Sequence, residues 1–137
     1  GRWLAYTSDD SGRTEVYVQP FPGPGERYQV STNGGRNAAW SRGSHELFYM
    51  QDAGSSDLVK LMAVQVGGGV PFTAGVPKAL LEMAFSGSGA NRLYDVAADG
   101  QRFLITQSVD DVQGPVATQI VVVSNWFEEL KRRVPAQ

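Results

Sequence analysis

Three segments of this chain repeat one pattern, and the repeat limits the possible folds more than any other feature. The segments are Gly1–Tyr6 (GRWLAY), Ser44–Tyr49 (SHELFY) and Gly100–Ile105 (GQRFLI), and they align without gaps. They begin at residues 1, 44 and 100, so they lie 43 and 56 residues apart. The chain is therefore expected to use one structural unit three times.

A unit of about 40–45 residues with four short strands is the sequence signature of a β-propeller blade. The longer second spacing is explained by insertions at Gly67–Gly69 and Ser86–Asn91. Repeats of this kind bury their faces only against neighbouring units. The sequence thus predicts an all-β fold, a β-propeller fragment of about three antiparallel blades followed by a short C-terminal α-helix. The expected divisions are 1–36 (partial blade), 37–90 (full four-strand blade), 91–125 (last blade) and 126–137 (helix and tail).

Short strands separated by turns account for most of the chain. Period-two alternation, as in Glu15–Gln19, is typical of half-buried strands, and the 16 glycines and seven prolines fall mainly between such runs. The first blade is expected to lack its innermost strand, because Gly1 aligns with the middle of a repeat. The predicted strands are 3–8, 15–19, 27–31, 37–40, 46–50, 60–66, 78–82, 92–96, 102–106 and 119–123.

Only the last segment has helical periodicity. Trp126, Leu130 and Val134 are spaced i, i+4 and i+8, with Phe127 on the same face and Asn125 as the predicted N-cap. We expect the apolar stripe to cover a strand edge of the last blade. The alternative is a partner-docking helix, in which Trp126, Phe127 and Leu130 form an interaction site.

Composition excludes several classes of function. The net charge of −2 provides no basic field for nucleic acid or for an anionic membrane. The absence of cysteine excludes disulfides, thiolate metal sites and cysteine nucleophiles. No run of 18 apolar residues occurs, so no membrane contact by this segment is expected.

No catalytic, metal or cofactor motif is present. His45 is the single histidine, and its neighbours Ser44 and Glu46 would point to opposite faces of a strand, so the three cannot form a catalytic triad. No Asp-x-Asp-x-Asp-Gly calcium loop is present, and the Gly67–Gly69 run lacks the lysine of a phosphate loop. We therefore expect no catalytic residues, no cofactor and no metal.

Other conspicuous residues have structural interpretations. The acidic residues are predicted to form turns, although Asp9 and Asp10 retain the alternative of lining a central opening. Six aromatic residues recur at repeat positions, as packing between blades predicts: Trp3, Tyr6, Trp40, Phe48, Tyr49 and Phe103. Three arginines are predicted to be solvated loop residues, with an arginine funnel as the alternative: Arg27, Arg36 and Arg92.

The segment Trp40–Tyr49 (WSRGSHELFY) resembles the WD40-like (PD40) propeller repeat of the TolB type, and Tyr94–Leu104 is similar to a second copy. The family turn is Trp-Ser-Pro-Asp-Gly, of which Asp99-Gly100 is kept. Glu15–Gly23 and Asn125–Arg133 resemble the C-terminal propeller region of bacterial, Acidobacteria-type Ser/Thr protein kinases. This resemblance covers nearly the whole chain and implies a sensor or interaction domain, with an extracytoplasmic location favoured.

Three functions remain open at this point. The first is a non-catalytic module for protein interaction or ligand sensing, part of a larger receptor-like kinase. The second is the propeller domain of a prolyl-oligopeptidase-type hydrolase, which would require a separate Gly-x-Ser-x-Gly domain. The third is a structural propeller fragment that self-assembles. Open blade faces favour self-association of the isolated chain, most simply as a dimer.

Overall fold

The computed structural model describes residues 2–42, 45–54, 58–84, 94–106 and 121–123, and this part of the chain is all β, without a helix. The helix predicted at 126–134 lies outside the described residues. The strands are β1 (Trp3–Ser8), β2 (Glu15–Pro20), β3 (Tyr28–Gln29), β4 (Arg36–Trp40), β5 (Glu46–Asp52), β6 (Leu58–Gly67), β7 (Thr73–Ala74), β8 (Lys78–Ala84), β9 (Tyr94–Val96), β10 (Phe103–Ile105) and β11 (Val121–Val123).

Each of the ten predicted strands coincides with an observed one, with some differences in the boundaries; the first two residues of the strands predicted at 92–96 and 119–123 lie outside the described residues. The strand predicted at 27–31 is reduced to Tyr28–Gln29. The prediction missed β7, a two-residue strand inside the predicted loop 67–77. It pairs with the far end of β6, which extends beyond its predicted limits at both ends.

The strands form three open antiparallel sheets that follow chain order. The first sheet is β1-β2-β3, and the third is β9-β10-β11. The second sheet runs β4-β5-β6, with β8 and the short β7 both paired to β6. The described residues therefore contain three meanders but no closed ring, and they do not fix a number of blades.

The middle sheet is buried on both faces. Successive side chains of a strand point to opposite sides, and a neighbouring sheet covers each side. Leu47 and Tyr49 of β5 join the core cluster shared with Val16 and Val18 of the first sheet. The intervening side chains of β5 face the other way, and Phe48 packs in the cluster of the third sheet. Both clusters also draw on alternate residues of β6: Met62, Val64 and Val66 in one, Leu61 and Ala63 in the other.

The three sheets thus stack face to face, and the second lies between the first and the third. Aromatic contacts lie at both boundaries. Trp3 of β1 lies 5.0 Å from Phe72, centroid to centroid, and Phe48 lies 5.0 Å from Phe103. Hydrophobic burial between sheets is the main force that holds such a stack together.

Candidate interaction surface

The face of the first sheet that points away from the stack is the first candidate surface. In the β1–β2 register Leu4 lies opposite Gln19, Tyr6 opposite Tyr17 and Ser8 opposite Glu15. Opposite residues share a face, so these six side chains lie on the side away from Val16 and Val18. We call this side the outer face of the first sheet.

An aromatic and charged cluster occupies the centre of that face. The rings of Tyr6 and Tyr17 stack with centroids 5.9 Å apart. The Arg27 guanidinium lies 4.5 Å from the centroid of the Tyr17 ring and donates a hydrogen bond from Nη1 to Asp10 Oδ2 at 2.6 Å. The pKa of the Asp10 carboxyl is held below its ordinary value, mainly by this bond and also by the Ser8 hydroxyl.

The charged groups of this cluster are paired with one another. Arg27 already interacts with a carboxylate and an aromatic ring, so its charge is not offered to an external anion. Because the pair is exposed, its contribution to stability is small. Through Arg27 the cluster holds the loop before β3 over Tyr17. Leu4, next to Tyr6 on the same face, is exposed.

A buried carboxylate lies at the end of the same sheet. Glu15 is 1% exposed, and it accepts a hydrogen bond from the Ser31 hydroxyl, one from Gly34 N–H at 3.0 Å and one from Arg13 Nε at 3.0 Å. The Ser31 hydroxyl in turn accepts a bond from Val16 N–H at 2.8 Å. Because these bonds satisfy the buried carboxylate and tie the segment after β3 to the start of β2, we assign this network to structure and not to chemistry.

The outer face of the third sheet is the second candidate surface. Phe103 and Ile105 point into the stack, so Leu104 between them points outwards and is 47% exposed. An open groove of about 260 Å³ runs beside it, lined by Asp95–Ala97 and Arg102–Leu104. The Asp99 carboxylate accepts hydrogen bonds from Gln101 N–H at 3.0 Å and from Arg102 Nε at 3.1 Å. The bond from Gln101 is the main reason that the pKa of Asp99 lies below its ordinary value.

The residues predicted from sequence as a possible interaction site, Trp126, Phe127 and Leu130, lie outside the described residues. His45 is exposed, and its carbonyl accepts a bond from Val66 N–H at 2.7 Å. Asp9 and Asp10 lie in the turn after β1, where Gly12 N–H donates to the Asp9 carbonyl at 2.8 Å. The turn interpretation of these acids is therefore confirmed.

The prediction of aromatic packing is confirmed for Phe48, Tyr49 and Phe103, which are buried, and Trp3 packs against the core while partly exposed. It is wrong for Trp40, which is 38% exposed. Trp40 is the last residue of β4, which pairs with β5 on one side and forms the edge of its sheet on the other. This leaves one side of the indole without a neighbouring strand.

The arginines form ion pairs and not a funnel where they are described. Arg27 contacts Asp10, and Arg36 Nη1 contacts Asp52 Oδ1 at 2.5 Å. Arg92 lies outside the described residues. Within the described ranges no group of three or more potential ligands is placed to hold a metal ion. The same part of the chain contains no helix long and apolar enough to cross a membrane.

No family model, curated protein or solved structure matches this chain. We therefore infer the function from the geometry of the three sheets. Sequence reasoning missed Leu4 and Leu104 as candidate residues. The repeat alignment contained the signal, because it places Leu4 with Leu47, and Leu104 with Phe48.

Proposed function

We propose that the chain is a non-catalytic β-propeller module that works by association through the outer faces of its first and third sheets. One observation carries the proposal. Leu47 and Phe48, on the two faces of the middle sheet, are 0% and 1% exposed, whereas their repeat equivalents Leu4 and Leu104 on the outer faces are 42% and 47% exposed. At each of these two repeat positions the side chain is buried where a neighbouring sheet covers it and exposed where no neighbouring sheet does.

The two outer faces are complementary in kind. Inside the chain, the side of the second sheet that carries Leu47 packs against the inner side of the first sheet, which carries Val16, Val18 and Ala5. In the repeat alignment the outer face of the first sheet corresponds to the Leu47 side, and the outer face of the third sheet corresponds to the Ala5 side, because Leu104, Phe48 and Ala5 align. A second copy of the chain can therefore present to each face the type of surface that its equivalent packs against. Such a contact is heterologous, and two of them close a two-fold ring.

The resemblance to the C-terminal region of bacterial Ser/Thr kinases supports placing this module in a receptor-like kinase. In that setting the module serves protein interaction or ligand sensing. No step of this role requires a catalytic residue, a cofactor or a metal in the module.

Sedimentation velocity at micromolar concentration tests the proposal. We expect the chain to be a dimer, and the variants Leu4→Lys and Leu104→Lys each to be monomers, because a buried ammonium group is costly in an apolar interface. An equimolar mixture of the two variants should recover a dimer, since one of its two interfaces contains only unaltered faces.

The matched control is Val76→Lys, which adds the same charge at an 82% exposed loop position and should leave the dimer unchanged. A monomeric unaltered chain would overturn the proposal. So would dimers that persist in both leucine variants, or a mixture that remains monomeric.

A further inference from the structure

The segment that connects the first sheet to the second contains a chemically reactive pair of residues, Asn33 followed by Gly34. The side-chain amide of an asparagine can be attacked by the backbone nitrogen of the next residue. The attack is least hindered when that residue is glycine, which has no Cβ. Asn33 is exposed, whereas Gly34 is buried. The two reacting groups are therefore adjacent in the chain but lie in different surroundings.

The fold requires glycine next to this asparagine. Gly34 has a φ of 85°, in the left-handed region that glycine adopts without strain. At the following position, Gly35, an added Cβ would lie 2.8 Å from Ser31 Cβ and still closer to the Ser31 hydroxyl. The reactive sequence is thus a consequence of how the segment turns over the start of β2.

The attacking nitrogen is held by the buried carboxylate described above. Gly34 N–H donates to Glu15 Oε1 at 3.0 Å, and Gly35 N–H donates to the Thr14 carbonyl at 2.9 Å. Two successive N–H groups therefore anchor the segment to the start of β2. The first of them belongs to the nitrogen that would attack Asn33.

Reaction of Asn33 would remove the first of these hydrogen bonds. The Gly34 nitrogen forms a bond to the side-chain carbonyl carbon of Asn33 and gives up its proton, and the side-chain amide group leaves as ammonia. Water then opens the cyclic succinimide to aspartate or isoaspartate. Because the ring nitrogen carries no hydrogen, it cannot donate to Glu15, and the buried carboxylate would lose one of its donors.

We propose that Asn33 is a deamidation site that the Glu15 network keeps closed in the folded chain. The amide is retained while Gly34 N–H donates to Glu15, and it is lost when the segment 31–35 separates from β2. Isoaspartate places an additional methylene group in the main chain before Gly34, so the modified chain does not restore this hydrogen bond. A molecule that opens here thus acquires a lasting chemical mark. The modification does not depend on the proposed association.

Peptide mapping by mass spectrometry measures the reaction. The chain is incubated at mildly alkaline pH, under conditions in which circular dichroism shows that it is folded. Trypsin then releases residues 28–36 (YQVSTNGGR), and a synthetic peptide of the same sequence gives the rate for an unfolded segment. We expect Asn33 in the folded chain to react about ten- to hundredfold more slowly than in the peptide, because the reaction requires loss of a buried hydrogen bond to a charged group.

Three variants separate this local effect from stability in general. Glu15→Ala removes the acceptor, so Asn33 should react at a rate close to that of the peptide. Glu15→Gln keeps one acceptor oxygen and should react nearly as slowly as the unaltered chain. Phe48→Ala is the matched control, because it removes a buried side chain of the second sheet and leaves the bond from Gly34 to Glu15 in place. It should keep Asn33 protected.

The effect of the product is tested separately. Incubation of the chain in urea, followed by refolding and ion exchange, yields the isoaspartate form. Its urea midpoint should be lower than that of the unaltered chain, because its main chain is longer by one methylene group at the turn. Asn33→Asp adds the same charge with a normal main chain at an exposed position, and it should retain the midpoint.

Equal rates for the folded chain and the peptide would overturn the inference. So would a Phe48→Ala chain that reacts as fast as Glu15→Ala while both are folded, or an isoaspartate form with an unchanged midpoint. If Glu15→Ala does not fold, hydrogen exchange of the unaltered chain in urea below its midpoint decides. Gly34 N–H exchange and Asn33 deamidation that accelerate together support local opening, whereas deamidation with Gly34 N–H still protected overturns it.

Discussion

Phe48 of the second sheet and Phe103 of the third meet edge to face, with ring centroids 5.0 Å apart and planes 80° apart. Both rings are buried in one cluster. The pair therefore joins two sheets that share no strand.

We predict that Phe48→Ala lowers the free energy of unfolding by about 3–5 kcal/mol, the range for deletion of a buried phenylalanine. In a double-mutant cycle with Phe103→Ala, the coupling energy should be about 0.5–1.5 kcal/mol, as for other aromatic pairs. Urea denaturation measures each value. Phe21→Ala, at a 59% exposed loop position, is the control, and a coupling energy near zero for Phe48 and Phe103 would contradict the pairing.

The Glu15 network gives a second prediction. Glu15→Ala leaves the Gly34 N–H and the Ser31 hydroxyl without their acceptor in a buried site, so we expect a loss of about 3 kcal/mol. Glu15→Gln keeps one acceptor oxygen and should lose about 1 kcal/mol. The exposed partner of Lys60, Glu82, offers the matched control, and Glu82→Gln should change stability by less than about 0.5 kcal/mol. Equal losses in all three variants would contradict the assignment.

Alkaline pH should destabilise the fold through Tyr49. Burial, with a smaller contribution from the Glu15 carboxylate, raises the pKa of the Tyr49 phenol to about 12. Between pH 10 and 12 the unfolded chain releases this proton and the folded chain retains it, so stability present below pH 10 is lost as the pH rises. The loss from this group is about 2–3 kcal/mol.

Tyr49→Phe should therefore reduce the fall in stability between pH 9 and 12. Some dependence should remain, because desolvation also raises the pKa of Tyr28. Urea midpoints at pH 7, 9 and 11 for both proteins are the measurement. Parallel curves for Tyr49→Phe and the unaltered chain would show that the phenol of Tyr49 is not the responsible group.

The C-terminal segment supports a prediction from sequence alone. If Trp126, Leu130 and Val134 form the apolar stripe of a helix that covers a strand edge, removal of 126–137 should cause aggregation or a marked fall in melting temperature. Replacement of the polar Lys131 by alanine should have little effect. An unchanged melting temperature after the deletion would refute a structural role for this segment.

The strands were predictable from sequence because alternation and turn residues are local signals. The burial of Glu15 was not, since it depends on Ser31 and Gly34, which approach only after β2 and β3 pair. The exposure of Trp40 was not predictable for a similar reason: an aromatic residue in the repeat suggested packing, but the place of β4 at the edge of its sheet is fixed only when the strands pair.

The candidate surfaces were partly predictable. The repeat alignment identified equivalent positions correctly, because it pairs Leu4 with Leu47 and both lie on the same side of their sheets. It could not show which copies would be covered, since coverage depends on the order in which the sheets stack. The pairing of Arg36 with Asp52 likewise requires the register of β4 and β5.

The alternation of β5 between two cores has a consequence for how this chain can change in length. Leu47 and Tyr49 serve one cluster, and Phe48 and Met50 serve the other. Insertion or deletion of one residue within β5 would exchange the two sets of side chains, and both boundaries would be damaged at once. Length variation is thus confined to the connections, in agreement with the unequal spacing of 43 and 56 residues between copies of a repeat whose strands align without gaps.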